Sequence, residues 1–445
     1  MLIEFKISNY RSIGKEQILS LVPAPKQRDF PDNIIEKGKS YALNAIAIYG
    51  PNASGKSNLL KAMGLLDKLL HNSARASSTT KLPYDPFLLK KGWNEKPTFF
   101  EITFILQDYR YRYGLEFNQK EILTEWLFRK GQGREVNLFQ RKGDVIDTSN
   151  GFKGSGKVIE AAIEATRDNA LFLSTCDMLN VEEAKKIFQW FRYFNMVDGL
   201  QTDDEEIHTV ELWQNPEYQS KIKDYFCTLN LSIVDLEITT KTFDASEINQ
   251  GFPEEIKNIL IKELDGKERF TIWSKHNLYD NAGNKTKELL SWKLEERESA
   301  GTKKAFHLSG PVIWALVNGG ILIIDEIEAK MHPLMTLRTI NLFLDNKTNP
   351  NKAQIIFATH DTNLLSYCNL RRDQIYFSDK NDWESTEIYS LSDFVYVGKD
   401  DPFAKSEKER PDTDKEKRYF EGRYGAIPDF KELSSLKVTK HGEER

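Results

Sequence analysis

The sequence predicts an α/β protein organised around a phosphate-binding loop, and three observations carry that expectation. Gly50 to Ser57 reads G-P-N-A-S-G-K-S, between an apolar run of strand length at residues 44–49 (N-A-I-A-I-Y) and a stretch at 58–70 with apolar residues at helical spacing. Far downstream, I-L-I-I at residues 321–324 is a short, fully apolar run closed by Asp325 and Glu326. Between the two, residues 99–129 alternate apolar and polar with period two, the pattern of an antiparallel β meander.

The loop comes first because the rest can be placed from it. Glycines at both ends let the backbone wrap tightly enough for successive N–H groups to face phosphate oxygens, and the helix that starts there points its positive end at the same anion. Gly50, Pro51, Asn52, Ala53, Ser54, Gly55, Lys56, Ser57 and Asn58 are therefore candidate ATP-binding residues. In that role Lys56 reaches the β- and γ-phosphates and Ser57 holds Mg2+. A glycine-rich strand-to-helix turn without a ligand is the plainer alternative, but a chance match to the full motif somewhere in a chain this long is roughly one or two per cent, and here the flanks are also those the motif requires.

Composition bounds the function. The chain has 445 residues and 40% hydrophobic content, ordinary for a large globular protein. With 67 acidic and 62 basic residues the net charge is −5, so there is no general attraction to nucleic acid or an anionic membrane, and any DNA or RNA contact needs a local patch. No apolar run approaches the ~18 residues of a membrane span, and M-L-I-E-F-K lacks the plan of a signal peptide, so the expected location is cytoplasmic. Cys176, Cys227 and Cys368 are far apart and suggest neither a disulfide framework nor a zinc site.

Along the chain, residues 2–13 alternate with period two and break at Gly14, a half-buried strand entering a turn. In the meander, Arg110 and Arg112 interleave with Tyr109, Tyr111 and Tyr113; strand geometry alone puts the arginines on one solvated face, which is favoured over a nucleic-acid stacking strip. A loop at 151–156 leads into helix-period segments at 158–166, 181–194 and 216–227, a helical insertion too short for a long coiled-coil arm. Strand character returns at 231–240 and 270–273, with a polar hairpin at 281–284. Residues 399–418 balance acidic against basic side chains around two prolines and read as a linker. Beyond it, Y-F-E-G-R-Y-G-A-I-P-D-F at 419–430 is aromatic enough to dock, more simply on the head itself than on a partner, and the last residues are expected to fray.

The second half of the site follows from the strand at 321–324. Carboxylates at the C-terminal end of a buried parallel strand lie where ligands bind in open α/β sheets. Asp325 is placed to complete the Mg2+ shell beside Ser57, and Glu326 to act on the attacking water as a general base, with Glu328 a rival. Residues 354–358 (Q-I-I-F-A) form another buried strand ending in Thr359, His360 and Asp361, so His360 is a candidate catalytic contact to the γ-phosphate or the water. Upstream, Glu298-Ser299-Ala300-Gly301-Thr302 opens a helical stretch that stops at Gly319-Gly320, a second anion cradle at a helix start. One P-loop and two cradles in a chain point to a head-to-tail ATP-sandwich dimer in which this cradle serves the other copy's nucleotide. Ser299 as a simple helix cap is the alternative.

Taken together, N-Y-R-S-I, G-P-N-A-S-G-K-S-N-L-L, E-S-A-G-T, I-I-D-E-I-E-A-K-M-H-P, F-A-T-H-D-T-N-L-L and the late R-Y-G-A-I-P resemble the SMC-like ABC ATPases of bacterial abortive-infection and phage-defence loci, the RloA type of OLD-like P-loop ATPase. The resemblance spans most of residues 1–430. It implies an α/β ABC-type head with a mixed sheet, an antiparallel meander and a short helical insertion. It further implies that Arg11 approaches the nucleotide, that Ser299, Gly301 and Thr302 act in trans, and that Glu328 to His332 form a D-loop-like contact joining the two sites. Glu298 departs from the apolar residue that often opens the cradle, and no Q-loop glutamine can be assigned.

Some relatives carry a C-terminal Toprim nuclease domain. This sequence has no room for one, because the D-x-D at Asp412 and Asp414 lies in the charged segment without a strand before it. The expected organisation is an N-terminal head half (1–98), the meander (99–150), the helical insertion (151–230), a C-terminal head half (231–398), the linker (399–418) and a tail (419–445). The expected function is an ATPase acting as sensor or scaffold in anti-phage defence, as a homodimer or a higher assembly of dimers, controlling a separate nuclease or toxin-like effector. The alternative is a DNA-repair or tethering ATPase whose dimer clamps nucleic acid.

Overall fold

The computed structural model describes residues 1–25, 27–200, 203–229, 231–242, 253–264, 268–396, 407–408 and 413–428. β1 (Leu2–Ser8), β2 (Gln17–Ser20), β3 (Ile34–Lys37), β4 (Ser40–Leu43) and β5 (Ala45–Tyr49) precede α1 (Lys56–Asn72). The meander is β6 (Thr98–Leu106), β7 (Tyr109–Phe117), β8 (Ile122–Lys130), β9 (Glu135–Lys142) and β10 (Val145–Thr148). Next come α2 (Gly156–Ala165), α3 (Phe172–Met178), α4 (Glu182–Phe191), β11 (Phe194–Asp198), α5 (Asp203–Trp213) and α6 (Pro216–Thr228). β12 (Asp235–Thr242), α7 (Glu254–Leu264), β13 (Glu268–Tyr279), β14 (Lys285–Lys293), α8 (Leu294–Arg297) and α9 (Ala300–Asn318) lead to β15 (Ile321–Asp325). The last elements are α10 (Pro333–Leu344), β16 (Gln354–Ala358), α11 (Asn363–Tyr367), β17 (Ile375–Lys380), β18 (Thr386–Ser390), β19 (Val395–Tyr396), β20 (Glu407–Lys408) and α12 (Lys415–Phe420).

Two sheets frame the molecule. The antiparallel one runs β10-β9-β8-β7-β6-β1-β2, so the meander is continued by the opening strand of the chain. The other runs β11-β15-β16-β5-β17-β18, parallel except for β18. Its central strands read as continuous apolar runs because both faces are covered. Ile46 and Ile48 of β5, Ile321 and Ile323 of β15, and Ile356 of β16 join the core shared with the antiparallel sheet and α1. Their neighbours Ala47 and Tyr49, Leu322 and Ile324, and Ile355 and Phe357 join the core under α5, α6, α9 and α10. At ~1.5–3 kcal/mol for each large aliphatic side chain fully buried, this double use makes the central strands the main source of stability. Gln354 ties the two sheets: its side chain accepts from Leu2 N (2.6 Å) and donates to Leu2 O (3.0 Å) and Leu43 O (2.9 Å).

α9 contains Pro311, which has no N–H for the carbonyl of His307 one turn back. The hydroxyl of buried Thr209 on α5 donates to that carbonyl (2.9 Å) and accepts from Gly310 N (3.1 Å). Gly310 is required at this contact, because a Cβ there would lie 2.3 Å from the Thr209 hydroxyl.

Several expectations change. The segment 181–194 is not one helix: α4 ends at Phe191 and Phe194 opens β11, an edge strand of the parallel sheet. Apolar residues at 187, 190, 191 and 194 keep helical spacing through the junction, which hides it. The stretch 151–230 is thus not purely helical, and it serves two cores: α2 to α4 pack beside the meander, α5 and α6 against α9. The stretch 399–418, expected to be a linker, includes the start of α12, where Asp414 caps the helix by accepting from Lys417 N (3.0 Å). Most of the rest of that stretch, with Asp412, and the final residues expected to fray lie outside the described residues. Arg112 lies on a solvated face, where it pairs with Glu101 and Glu135 at 2.8 Å each.

Candidate functional site

The parallel sheet brings four strand ends to one edge. Tyr49 of β5 leads into the P-loop, and Asp325 closes β15. β16 runs into Thr359 and His360, and Asp198 closes β11, paired in register with Asp325. The loop has the glycines its geometry needs: Gly50 has φ 153° and Gly55 φ 111°. A Cβ on Gly50 would lie 2.2 Å from the Ser378 carbonyl, and one on Gly55 would lie 2.0 Å from the Thr386 hydroxyl. Ser378 and Thr386, from β17 and β18, both donate to the Ser54 carbonyl (3.1 and 2.7 Å), and Asn58 donates to Ser12 (2.8 Å). Lys56 is almost fully buried and turns back on its own loop, donating to Gly50 O (2.7 Å) and Pro51 O (3.1 Å). Burial lowers its pKa to about 8 against the opposing pull of Asp325, Glu328 and Glu326.

The acids face this lysine. Asp325 is buried, which raises its pKa, and the Ser57 hydroxyl donates to it. Its Oδ1 is buried without a hydrogen-bond partner among the described residues. A carboxylate oxygen left over beside a serine hydroxyl is the hard, all-oxygen donor set that suits Mg2+, so the residues present fit that ion. Glu326 sits in the left-handed region (φ 49°), unusual for a residue with a side chain. Its pKa is raised by burial first and then by Asp325, Glu328 and Asp198. Glu328 is engaged otherwise: its Oε1 accepts from the His360 backbone N–H at 2.6 Å, fixing the loop that carries the histidine. Burial, then the charge of Lys56, lowers the His360 pKa, keeping the imidazole neutral near pH 7.

Two clefts adjoin the site. A cleft of about 740 Å³ holds Gly50 to Ser54 and His360 on one side and Tyr419, Phe420 and Ile427 on the other. A larger one of about 1280 Å³ runs along α1, with Arg11, Lys61, Lys68, Tyr84 and Asp198 on its walls. The larger cleft contains none of the P-loop residues 50–57, so the smaller one marks the chemistry. Arg11 lies in the larger cleft and pairs with Asp85 at 2.9 Å.

Thus Lys56, Ser57, Asp325, Glu326, Glu328 and His360 converge within one chain, whereas Ser299, Gly301 and Thr302 stand at the start of α9. The cradle is satisfied internally. Ser299 Oγ accepts from Thr302 N at 3.1 Å, capping α9, and a Cβ on Gly301 would lie 2.6 Å from Lys330 O in the loop after β15. Glu298, the departure from the family pattern, accepts from Ser274 Oγ (2.7 Å) and Trp292 Nε1 (2.7 Å) and lies 2.8 Å from His276 Nε2. Burial works to raise its pKa, but these bonds outweigh it and hold the carboxyl low. His332 caps α10 by accepting from Leu334 N at 3.2 Å.

Two residues of the site were not anticipated. Asp198 closes F-N-M-V-D, the same strand-then-acid pattern as I-L-I-I-D, and could have been found by it. Buried Lys304 of α9 donates to Glu326 O and Ile327 O (3.1 Å each), with its pKa lowered by burial to about 8, and no sequence pattern marks it. Among the described residues, Glu206, Glu295 and His307 place one ligand atom each within 4.8 Å of one another. Lys303 already supplies a cation to Glu295 there, at 3.1 Å. No helix among the described residues is long and apolar enough to cross a membrane.

Residues 45–366 match the family model described as "AAA domain, putative AbiEii toxin, Type IV TA system". No curated protein matches. Among solved structures, the SMC head domain from Thermotoga maritima is similar at 13% identity and TM-score 0.39, over 87% of this chain and 98% of that one. The SMC head bound to the C-winged helix domain of ScpA aligns at 13% identity and TM-score 0.38, over 87% and 97% of the two chains. The recombination mediator RecF aligns at 14% identity and TM-score 0.31, over 87% and 98%.

Proposed function

Since the chain belongs to this AbiEii-type AAA-domain family and is a P-loop ATPase, we propose that its turnover controls a separate effector protein in bacterial defence against phage. The observation that carries the reading is the sheet edge, where Lys56, the Asp325 oxygen without a partner beside Ser57, and raised-pKa Glu326 meet. In this reading the P-loop amides and Lys56 hold the phosphates, and Ser57 with Asp325 holds Mg2+. Glu326 takes the proton of the attacking water while His360 orients it. Two copies close head to tail, each lending Ser299, Gly301 and Thr302 to the other's nucleotide, and Glu328 and His332 lie in the loop between the two sites. The family description, "putative AbiEii toxin, Type IV TA system", supports a role in defence. In this reading Asp325 and Glu326, the two acids that end β15, are committed to ATP, which supports placing the effector chemistry on another protein.

The test is direct. Purified protein with ATP and Mg2+ is offered plasmid DNA, single-stranded DNA and tRNA, with and without the co-encoded partner. Cleavage or toxicity only with the partner, lost in Glu326→Gln, is the expected result. Nuclease activity of the chain alone that survives Glu326→Gln would overturn it, and salt-dependent, ATP-dependent DNA retention without any effector would favour a tethering ATPase instead.

A further inference from the structure

The segment at 413–428 lies against the P-loop side of the parallel sheet. Tyr419 stacks on Phe377 of β17 (centroids 5.7 Å apart, planes at 16°) and approaches Tyr49, the last residue before the P-loop, at 6.3 Å. Its hydroxyl donates to Ala426 O (2.7 Å). Ala426 N in turn donates to Asp379 Oδ2 (2.8 Å), and Tyr389 Oη donates to Tyr424 O (2.6 Å). Asp379 is the residue after Ser378, whose hydroxyl holds the Ser54 carbonyl, so the same stretch of β17 grips both the P-loop and this segment.

From α12, Glu416 reaches the other side of the site. One carboxylate oxygen accepts from Thr362 Oγ1 and the other from Ser366 Oγ, each at 2.9 Å. Thr362 is two residues beyond His360 and immediately precedes α11, a helix of only five residues with little stability of its own. The loop bearing His360 is therefore pinned at two points: Glu328 takes its backbone amide and Glu416 takes the first turn of the helix after it. The cleft between P-loop and His360 is walled by residues of the same segment, Tyr419, Phe420 and Ile427.

We propose that Glu416 is a positioning residue of the ATPase site, holding the loop so that His360 faces the P-loop cleft, and that residues 413–428 are a working part of that site. The proposal rests on the reading of His360 as the group that meets the γ-phosphate or the water. A carboxylate with one oxygen on each of two hydroxyls fixes both the position and the rotation of the short helix. Loss of that hold lets the histidine drift while the P-loop keeps its own supports, Ser378 and Thr386.

The experiment uses the full chain with Glu416→Ala, Glu416→Gln, His360→Ala and the double variant His360→Ala/Glu416→Ala, reading kcat, KM and the affinity for a fluorescent ATP analogue. Glu416→Ala is expected to lower kcat roughly tenfold or more, as loss of an orienting partner commonly does, with analogue affinity changed less than about twofold. Glu416→Gln, which keeps one acceptor oxygen, is expected to recover most of the rate. Adding Glu416→Ala to His360→Ala should then cost nothing further. A wild-type kcat in Glu416→Ala beside an impaired His360→Ala would overturn the proposal alone, as would a full Glu416→Ala penalty persisting in the double variant. A wild-type kcat in His360→Ala would overturn the histidine reading itself.

Discussion

The P-loop and the cradle at the start of α9 are both backbone nests at helix N-termini, yet they stand in opposite conditions. The P-loop is under load: it has left-handed backbone at Gly50, Ala53 and Gly55, a buried lysine folded onto its own carbonyls, and an unmatched carboxylate oxygen across from it. A phosphate with its cation would engage the lysine and the carboxylate oxygen within one chain, on a backbone already shaped to receive it. The cradle has nothing to relieve, because Ser299 is bonded to Thr302, Glu298 is held from the β13–β14 hairpin, and Gly301 is seated against Lys330. Binding strength therefore belongs to the first region. In the proposed dimer the second would contribute by being presented, already complete, to a ligand that another copy holds.

The sharpest way to break this division is at the water. Glu326→Gln should cut kcat by about 10²–10⁴-fold with ATP affinity unchanged, because only proton transfer is lost. Glu328→Gln, which keeps an acceptor for the His360 amide, should cost far less. Steady-state ATPase rates paired with analogue binding separate the two, and the reverse ranking would make Glu328 the base.

Mixing probes the presented cradle. Lys56→Ala empties a site in cis, while Gly301→Asp adds bulk and negative charge where the neighbour's phosphate would lie. Each variant alone should be inactive, and a mixture should regain part of the wild-type rate, since one composite site per heterodimer carries no lesion. Because a Cβ on Gly301 crowds Lys330 O of its own chain, the Gly301→Asp chain must also bind ATP and unfold like wild type; confirmed heterodimers of such a chain without recovered ATPase activity would mean that the cradle does not act on a second copy.

The smallest effect expected is in pH. Lys56, held to about 8 by burial and faced by Asp325, Glu328 and Glu326, is charged below that value and increasingly neutral above it. Phosphate binding above pH 8 must first take up a proton, so ATP affinity should fall as pH rises from 7 to 9, by at most about tenfold per unit. Calorimetry in buffers of different ionisation enthalpy should show proton uptake in that range and none well below it. A flat profile would mean that the free lysine is not depressed.

What could be read from the sequence follows the same physical line. β5, β15 and β16 are buried on both faces, so they appear as uninterrupted apolar runs, and the residues that end them were identified with them: the P-loop, Asp325 with Glu326, and His360. β11 is an edge strand continuing the apolar spacing of the helix before it, which concealed both the strand and Asp198. Lys304 is one of two adjacent lysines, and only the face of α9 it occupies sets it apart from Lys303. Glu416 belongs to a charge-balanced stretch whose composition argues for disorder; its role depends on α12 meeting β17 and α11, contacts between residues 42 to 54 positions apart that no local pattern encodes.

The double use of the central strands bears on how motion is distributed. Amides in β15, β16 and β5 lie between two cores and can exchange with solvent only when the whole head opens, whereas β14, exposed along nearly its full length, can exchange by local fluctuation. Asp325 ends β15, Glu326 is one residue beyond it, His360 two beyond β16, and the P-loop starts directly after β5, so the functional loops begin where the slow-exchanging strands stop. Nucleotide occupancy should therefore register as protection of the loops at 50–55, 326–331 and 359–362 while the strands feeding them, already at the ceiling set by global unfolding, hardly change.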